Sequence, residues 1–408
     1  MLAGRAMSGW TIALSLISGC TSGISYLGMP GYILEDGVGQ ATIFLCWLVV
    51  IPVGSIVSMC TPALAALGKL HSQCFFTFLV RLTVQVIIPF YHDLGLTTAY
   101  TYFEHRFDKP HRTIAACLFL ARVNLYLAVV LFAPALLLHT VLEFPLWATI
   151  LFTGCMSTLW TIKGGMLAVV YTDAVQSVAM IAGVVSCLGF TLAKIDGGPA
   201  AAYRLLGDGG MLQWKELVEF HPTRREAPAE SVWAMLLGVG TLSLAQVGTD
   251  QLAVQRFLTA KNKSECIKSF VYSGVYNIFW VLLMCINALA ILSFYEQEKI
   301  RPVQDKLIEQ ADQILPYFAI TQVNTCGIAA HGYRCRPSRF LIESCCMQLP
   351  RGIAGLLVAA VLGSTMSVYS GGLNAAATCC HVDILTNALG QPCPAEGEVA
   401  PAMGAAGM

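Results

Sequence analysis

The chain has 408 residues, 56% of them hydrophobic and only 12% charged, about half the charged share of an ordinary soluble domain. Lys plus Arg and Asp plus Glu are both 24, so no basic surplus points to nucleic acid. Apolar runs of about 20 residues recur, the length an α-helix needs to cross a hydrocarbon core about 30 Å thick. Transmembrane-barrel alternation is missing. The class expected is an all-α polytopic membrane protein, with the lipid bilayer as its first partner.

In chain order, the first span expected is Trp10–Leu34. It is too long for a cleavable signal, and it carries Gly and Ser where a signal core would be purely apolar. Ser15, Ser18, Gly19, Thr21, Ser22, Gly23 and Ser25 fill its middle, and Pro30 follows. Small residues of this kind permit close helix packing. They also suit a discontinuous helix whose freed carbonyls coordinate a cation at mid-membrane.

Ala41–Leu67 is the next span. Cys74–Tyr91 is short and carries Arg81; it reads as a crossing, a re-entrant piece or an extension of the preceding helix. Ile114–Val141 contains Arg122, expected to be paired or snorkelling. Leu146–Ile162 and Gly165–Ala193 follow. Asp173 lies inside the latter, and an intramembrane carboxylate is a functional hypothesis by default. The alternative is an interfacial position paired with a loop Lys or Arg. Val232–Val254 ends near Asp250, close in sequence to Arg256. Phe270–Phe294 and Ile353–Cys380 complete the set. Within the last, Leu356–Asn374 is interrupted by Ser364, Thr365, Ser367, Tyr369, Ser370 and two adjacent glycines. A second break is expected at Gly363–Gly372, facing a polar cavity or an ion.

Basic residues cluster in loops of one side: Arg106, Lys109 and Arg112, then Lys163, then Arg256, Lys261, Lys263 and Lys268. The positive-inside rule makes these loops cytoplasmic. This orientation requires one net crossing across Ala41–Tyr91. Of the 16 cysteines, Cys46, Cys155, Cys187 and Cys285 read as small buried hydrophobes within spans. Cys326 and Cys335 are a possible pair in an extracellular loop. No hydrolytic or phosphate-binding motif is present, so an enzyme is not expected.

Several stretches resemble the solute:sodium symporter family, in its branch of sodium-dependent monocarboxylate, multivitamin and iodide transporters. LGLTTAYTYFEHRF at Leu94–Phe107 looks like that branch's TSxYEYLExRF stretch. GGMLAVVYTDAVQ at Gly164–Gln176 is similar to its GGxxAVVWTDxxQ, and GTDQLAVQRFL at Gly248–Leu258 to its GxNQxxVQRYL. ADQILPYF at Ala311–Phe318 and the GLLVAAVLGSTMS segment also match.

The resemblance implies a LeuT-type inverted-repeat helix bundle working by alternating access, with the second repeat incomplete. It implies sodium as the co-transported ion, held by carbonyls of Ser18 and Thr21 and the hydroxyl of Ser367. Asp173 would line the sodium path. Cys20, Ile24, Ser25 and Tyr26 would border the substrate. Ile24 and Ser25 stand where sugar carriers have acidic and amide groups, so a small organic anion is expected, a monocarboxylate or vitamin carboxylate. Plasma membrane is the family's expected location.

Val368 departs from the family, which usually has a second Ser or Thr beside Ser367; Ser364, Thr365 or a water would have to replace its oxygen. Residues 1–386 read as the transporter domain, with insert-like stretches at about 60–85 and 321–347, and 387–408 as a disordered tail. The alternative reading is a truncated, non-transporting membrane protein that associates with and modulates a full-length transporter.

Overall fold

The computed structural model describes residues 6–21, 23–36, 90–91, 94, 96–142, 145–208, 238, 241–242, 245–246, 248–300, 305, 308, 314–315, 317–318 and 351–390. The expected span at Ala41–Leu67, most of Cys74–Tyr91 and part of Val232–Val254 lie outside these residues. So do the insert-like stretches, Cys326, Cys335 and the tail beyond residue 390.

Among the described residues the regular elements are helices: α1 Gly9–Cys20, α2 Gly23–Asp36, α3 Thr101–Arg106, α4 Lys109–Leu142, α5 Leu146–Lys194, α6 Gly198–Asp208, α7 Gln251–Leu258, α8 Lys263–Gln297 and α9 Arg351–Cys379. A π-helix, Cys380–Thr386, continues α9. Among the described residues, four helices are long and apolar enough to cross a membrane: Lys109–Phe132, Leu146–Lys194, Lys263–Gln297 and Gly355–Thr386.

The first expected span is two helices. Ser8 caps α1 by accepting from the Thr11 N–H. Thr21 ends it with an extended backbone (φ −92, ψ 92), and its N–H takes the carbonyl of Ile17 at 2.8 Å. The discontinuous helix inferred from the small-residue run is therefore present.

The long helix α5 joins two expected spans. Forty-nine residues would extend about 73 Å if straight, far more than one crossing. Gly165 bends it, with φ 54 and ψ −157, a backbone open to glycine and strained for other residues. The hydroxyls of Thr153, Ser157 and Thr161 donate to carbonyls four residues back, so they enter the apolar bundle already satisfied.

The second expected break is absent. α9 runs through Gly363, Gly371 and Gly372 as one helix. Here the glycines serve close approach: a Cβ at Gly372 would lie 2.6 Å from Leu127, and one at Gly371 would collide with the Arg256 guanidinium. The irregularity falls later, in the π-helix.

α9 packs most extensively on α5, and also against α4 and α1. Tyr26, Met180, Val184, Trp280, Met284, Phe294, Phe318 and Ala360 unite α2, α5, α8 and α9 in the largest core. Between helices in lipid, van der Waals packing of such side chains rather than their removal from water is the main favourable term. A second core joins Ile12, Leu16, Met166, Val170, Phe257 and Phe270. At the same end, Met7 exchanges backbone hydrogen bonds with Thr259 and Lys261, and Glu265 accepts from the Gly9 N–H at 2.7 Å. The start of α1 and the α7–α8 turn thus share one end of the bundle.

Cys187, Cys266 and Cys379 are buried as free thiols, while Cys155 is exposed on α5, contrary to its reading as a buried residue.

Candidate functional site: a carboxylate at the broken helix

Asp173 is fully buried where α1, α5, α7 and α9 meet. Its Oδ1 accepts from the Ser367 hydroxyl at 2.6 Å. Its Oδ2 accepts from the Ser15 hydroxyl at 2.6 Å and from Arg256 Nη2 at 3.1 Å. One turn on, Ser177 donates to the carbonyl of Leu14 at 2.9 Å, clamping α5 to the half-helix that carries Ser15 and Ser18. A carboxylate removed from water in a helix bundle must be paired and hydrogen-bonded to be tolerated, and Asp173 is both. Its partner is Arg256, which the sequence places among the loop basics and which here lies buried on α7.

Arg256 is 2% exposed. Its Nε donates to Ser15 Oγ at 2.9 Å and its Nη1 to the carbonyl of Leu252 at 2.9 Å. Gly19 and Gly371 make room for it: a Cβ at Gly19 would stand 2.6 Å from Nη2. The sequence places Arg256 among loop charges; the structure makes it the counter-ion of Asp173. Asp250, its neighbour in sequence, instead caps α7 by accepting from the Leu252 N–H at 3.1 Å and pairs with Arg122 at 2.8 Å. The pairing expected for Arg122 is thus with Asp250.

The other expected ligands gather at the same break. Ser18 is fully buried and Thr21 is 5% exposed. A helix ending at Cys20 leaves its last carbonyls without intrahelical partners. Ser18 Oγ and Thr365 Oγ1 are buried with no hydrogen-bond partner among the described residues. Thr365 lies against the start of α2, where a side chain at Gly23 would collide with its hydroxyl. Ser364 is already committed, donating to the carbonyl of Val361 at 2.8 Å. Val368 is fully buried and offers no oxygen. The donor set is therefore hydroxyls, carbonyls and one carboxylate, the hard oxygens that suit a hard cation.

The expected substrate residues are less assembled. The side chains of Cys20 and Ile24 lie outside the described residues, and Ser25 is exposed. Tyr26 is fully buried in the main core, its ring centroid 5.8 Å from that of Trp280.

A second buried ion cluster was not foreseen. Asp383 in the π-helix is fully buried and accepts from Arg112 Nε at 2.6 Å and Thr98 at 2.8 Å. Arg112 also donates to Glu104 at 2.6 Å and to the carbonyl of Val382 at 3.2 Å. Glu104 and Thr98 belong to the stretch quoted above for its family resemblance.

A profile of the sodium:solute symporter family matches residues 1–402. The chain is 26% identical to the human sodium-coupled monocarboxylate transporter 2, over 94% of its own length and 52% of that protein's. It is 25% identical to the human sodium-coupled monocarboxylate transporter 1, over 94% and 53%. With the sodium-dependent multivitamin transporter of Oryctolagus cuniculus the identity is 26%, over 94% and 51%. The chain thus spans about half the length of these relatives. In fold it matches a Na+-coupled sialic acid symporter, solved in a substrate-bound outward-open state. The TM-score is 0.73 at 19% identity, covering 98% of this chain and 72% of that one. The expected all-helical transporter architecture is therefore present, and the chain, a multi-pass integral membrane protein, belongs to the sodium:solute symporter family.

Proposed function

We propose that the chain carries the ion-coupling site of a sodium-coupled symporter that moves a small organic anion across a membrane by alternating access. The observation that carries this reading is the cluster at the break. Asp173 and Ser367 are bonded to each other, and Ser18 and Thr365 hold buried hydroxyls with no partner among the described residues, beside a helix that ends at Cys20. Sodium is the cargo whose chemistry this donor set fits, because a hard cation prefers carboxylate, carbonyl and hydroxyl oxygens. Ser18, Thr21, Ser367 and Asp173 are the ligands or path residues in this reading. Thr365 supplies the oxygen that Val368 cannot. The substrate class rests on the names of the relatives and on Ile24 and Ser25, which offer few polar partners to a many-hydroxyl solute.

The test is uptake of labelled monocarboxylates, biotin and pantothenate into vesicles holding the chain, with and without a sodium gradient. Uptake is expected to depend on sodium. Ser367→Ala removes both a donor to Asp173 and a candidate ligand. It should raise the half-saturating sodium concentration about ten-fold, the equivalent of about 1.4 kcal/mol. Uptake indifferent to sodium would sink the reading. No uptake from a correctly inserted chain, with co-purification of a longer relative, would favour the modulating role instead.

A further inference from the structure

We infer that Arg256 is a tethered cation that competes with sodium for Asp173, a role that rests on the sodium site proposed above. Both carboxylate oxygens are already engaged: Oδ1 by Ser367, Oδ2 by Ser15 and Arg256. Three of the carboxylate's roughly four acceptor positions are thus taken, and of the three partners only Arg256 carries a charge that a sodium ion at Asp173 would repel. Ser15 stands between the two, donating to Asp173 and accepting from Arg256 Nε. The guanidinium occupies the same crossing as the candidate ligands. Gly19, one residue after Ser18, and Gly371, one turn after Ser367, both abut it so closely that neither tolerates a Cβ.

The charge arithmetic gives the exchange a purpose. Asp173 cannot remain ionised and unpaired in a dry bundle. With sodium absent, Arg256 neutralises it; with sodium present, the ion does, and the guanidinium is left to Ser15 Oγ and the Leu252 carbonyl. Arg256 reaches the site from α7, an eight-residue helix, and its Nη1 is anchored to the carbonyl of Leu252 one turn back. Withdrawal of the guanidinium would therefore pull on α7 and on the α7–α8 turn, whose residues Thr259 and Lys261 are bonded to Met7 ahead of α1. Sodium occupancy is thereby transmitted to the end of the bundle where these elements meet.

The experiment measures radiolabelled sodium binding to the purified full chain in lipid nanodiscs, together with the sodium-dependent rise in melting temperature. Arg256→Gln removes the competitor and is expected to tighten sodium binding about ten-fold or more, since an internal occupant reduces apparent affinity by the fraction of time it holds the site. The sodium-dependent rise in melting temperature should also exceed that of the wild type. Arg256→Lys keeps the charge but loses the forked contacts; it gives a second folded variant, expected to bind sodium a few-fold more tightly. On an Asp173→Asn background, neither substitution should change sodium binding. Unchanged or weaker binding in both Arg256 variants, with wild type binding sodium, would overturn the competitor role alone. Wild type that binds no sodium would overturn the proposed ion site and this inference with it.

Discussion

Asp173→Ala is expected to eliminate sodium binding and to destabilise the bundle by about 3–5 kcal/mol, the usual consequence of breaking a buried ion pair by removing one partner. The loss is large because three groups depend on this carboxylate. Arg256, 2% exposed, is left as an uncompensated cation, and the hydroxyls of Ser15 and Ser367 lose their acceptor. Asp173→Asn keeps an acceptor oxygen and still leaves Arg256 unpaired, so it should recover only part of the stability. Adding Arg256→Met to Asp173→Ala replaces the stranded charge with an apolar side chain and should recover most of it, because well-packed apolar replacements of buried ion pairs are often neutral. Sodium binding should not return. Thermal melts of Asp173→Ala, of Arg256→Met and of the double variant form a cycle that isolates the pair from its surroundings. Additive losses in that cycle would show that Asp173 and Arg256 do not act as a pair.

The sequence makes half of this site legible. The cost of a carboxylate in an apolar span singles out Asp173, and the density of Gly and Ser around Thr21 announces the interrupted helix. Ser367 comes from the family resemblance, since its segment alone does not separate it from Ser364, Thr365 or Ser370. Arg256 escapes because a count of basic residues by position treats it as a loop charge, and burial is a tertiary property. Its apparent partner, Asp250, is near only in the chain: residues six apart on a helix point about 120° apart, while neighbours on one face lie three or four apart. Proximity in sequence therefore suggests the wrong pair. The intramembrane carboxylate itself holds the better signal, since it requires a cation that the adjacent span does not supply. At Gly363–Gly372 the same glycines permit either a break or a close approach, and local sequence does not separate the two. Packing of Arg256 and Leu127 against them decides the matter.

The second buried pair supplies a contrast in which stability and ion affinity should separate. Arg112→Ala removes the cation that serves Asp383, Glu104 and the carbonyl of Val382. It leaves Asp383, fully buried, with the Thr98 hydroxyl and the Cys379 thiol as its partners. The expected loss is again about 3–5 kcal/mol, seen as a lowered melting temperature. Arg112→Lys should recover part of it, since a lysine supplies the charge without the fork. Asp383→Asn added to Arg112→Ala should recover part by discharging the orphaned carboxyl. The π-helix explains the geometry: its wider turn re-aims side chains at the end of α9, a use to which such bulges are often put. Asp383 lies 16 residues beyond Ser367 in the numbering, about 24 Å along a helix, so the two ion clusters share a helix without sharing ligands. Sodium affinity of the folded Arg112→Ala protein should therefore stay within about two-fold of wild type, as expected for separated sites without common partners. If the Arg112 variant instead loses sodium affinity as fully as Asp173→Ala, the pair at the end of α9 is coupled to the ion site, and the division between a structural clamp and an ion-binding centre does not hold.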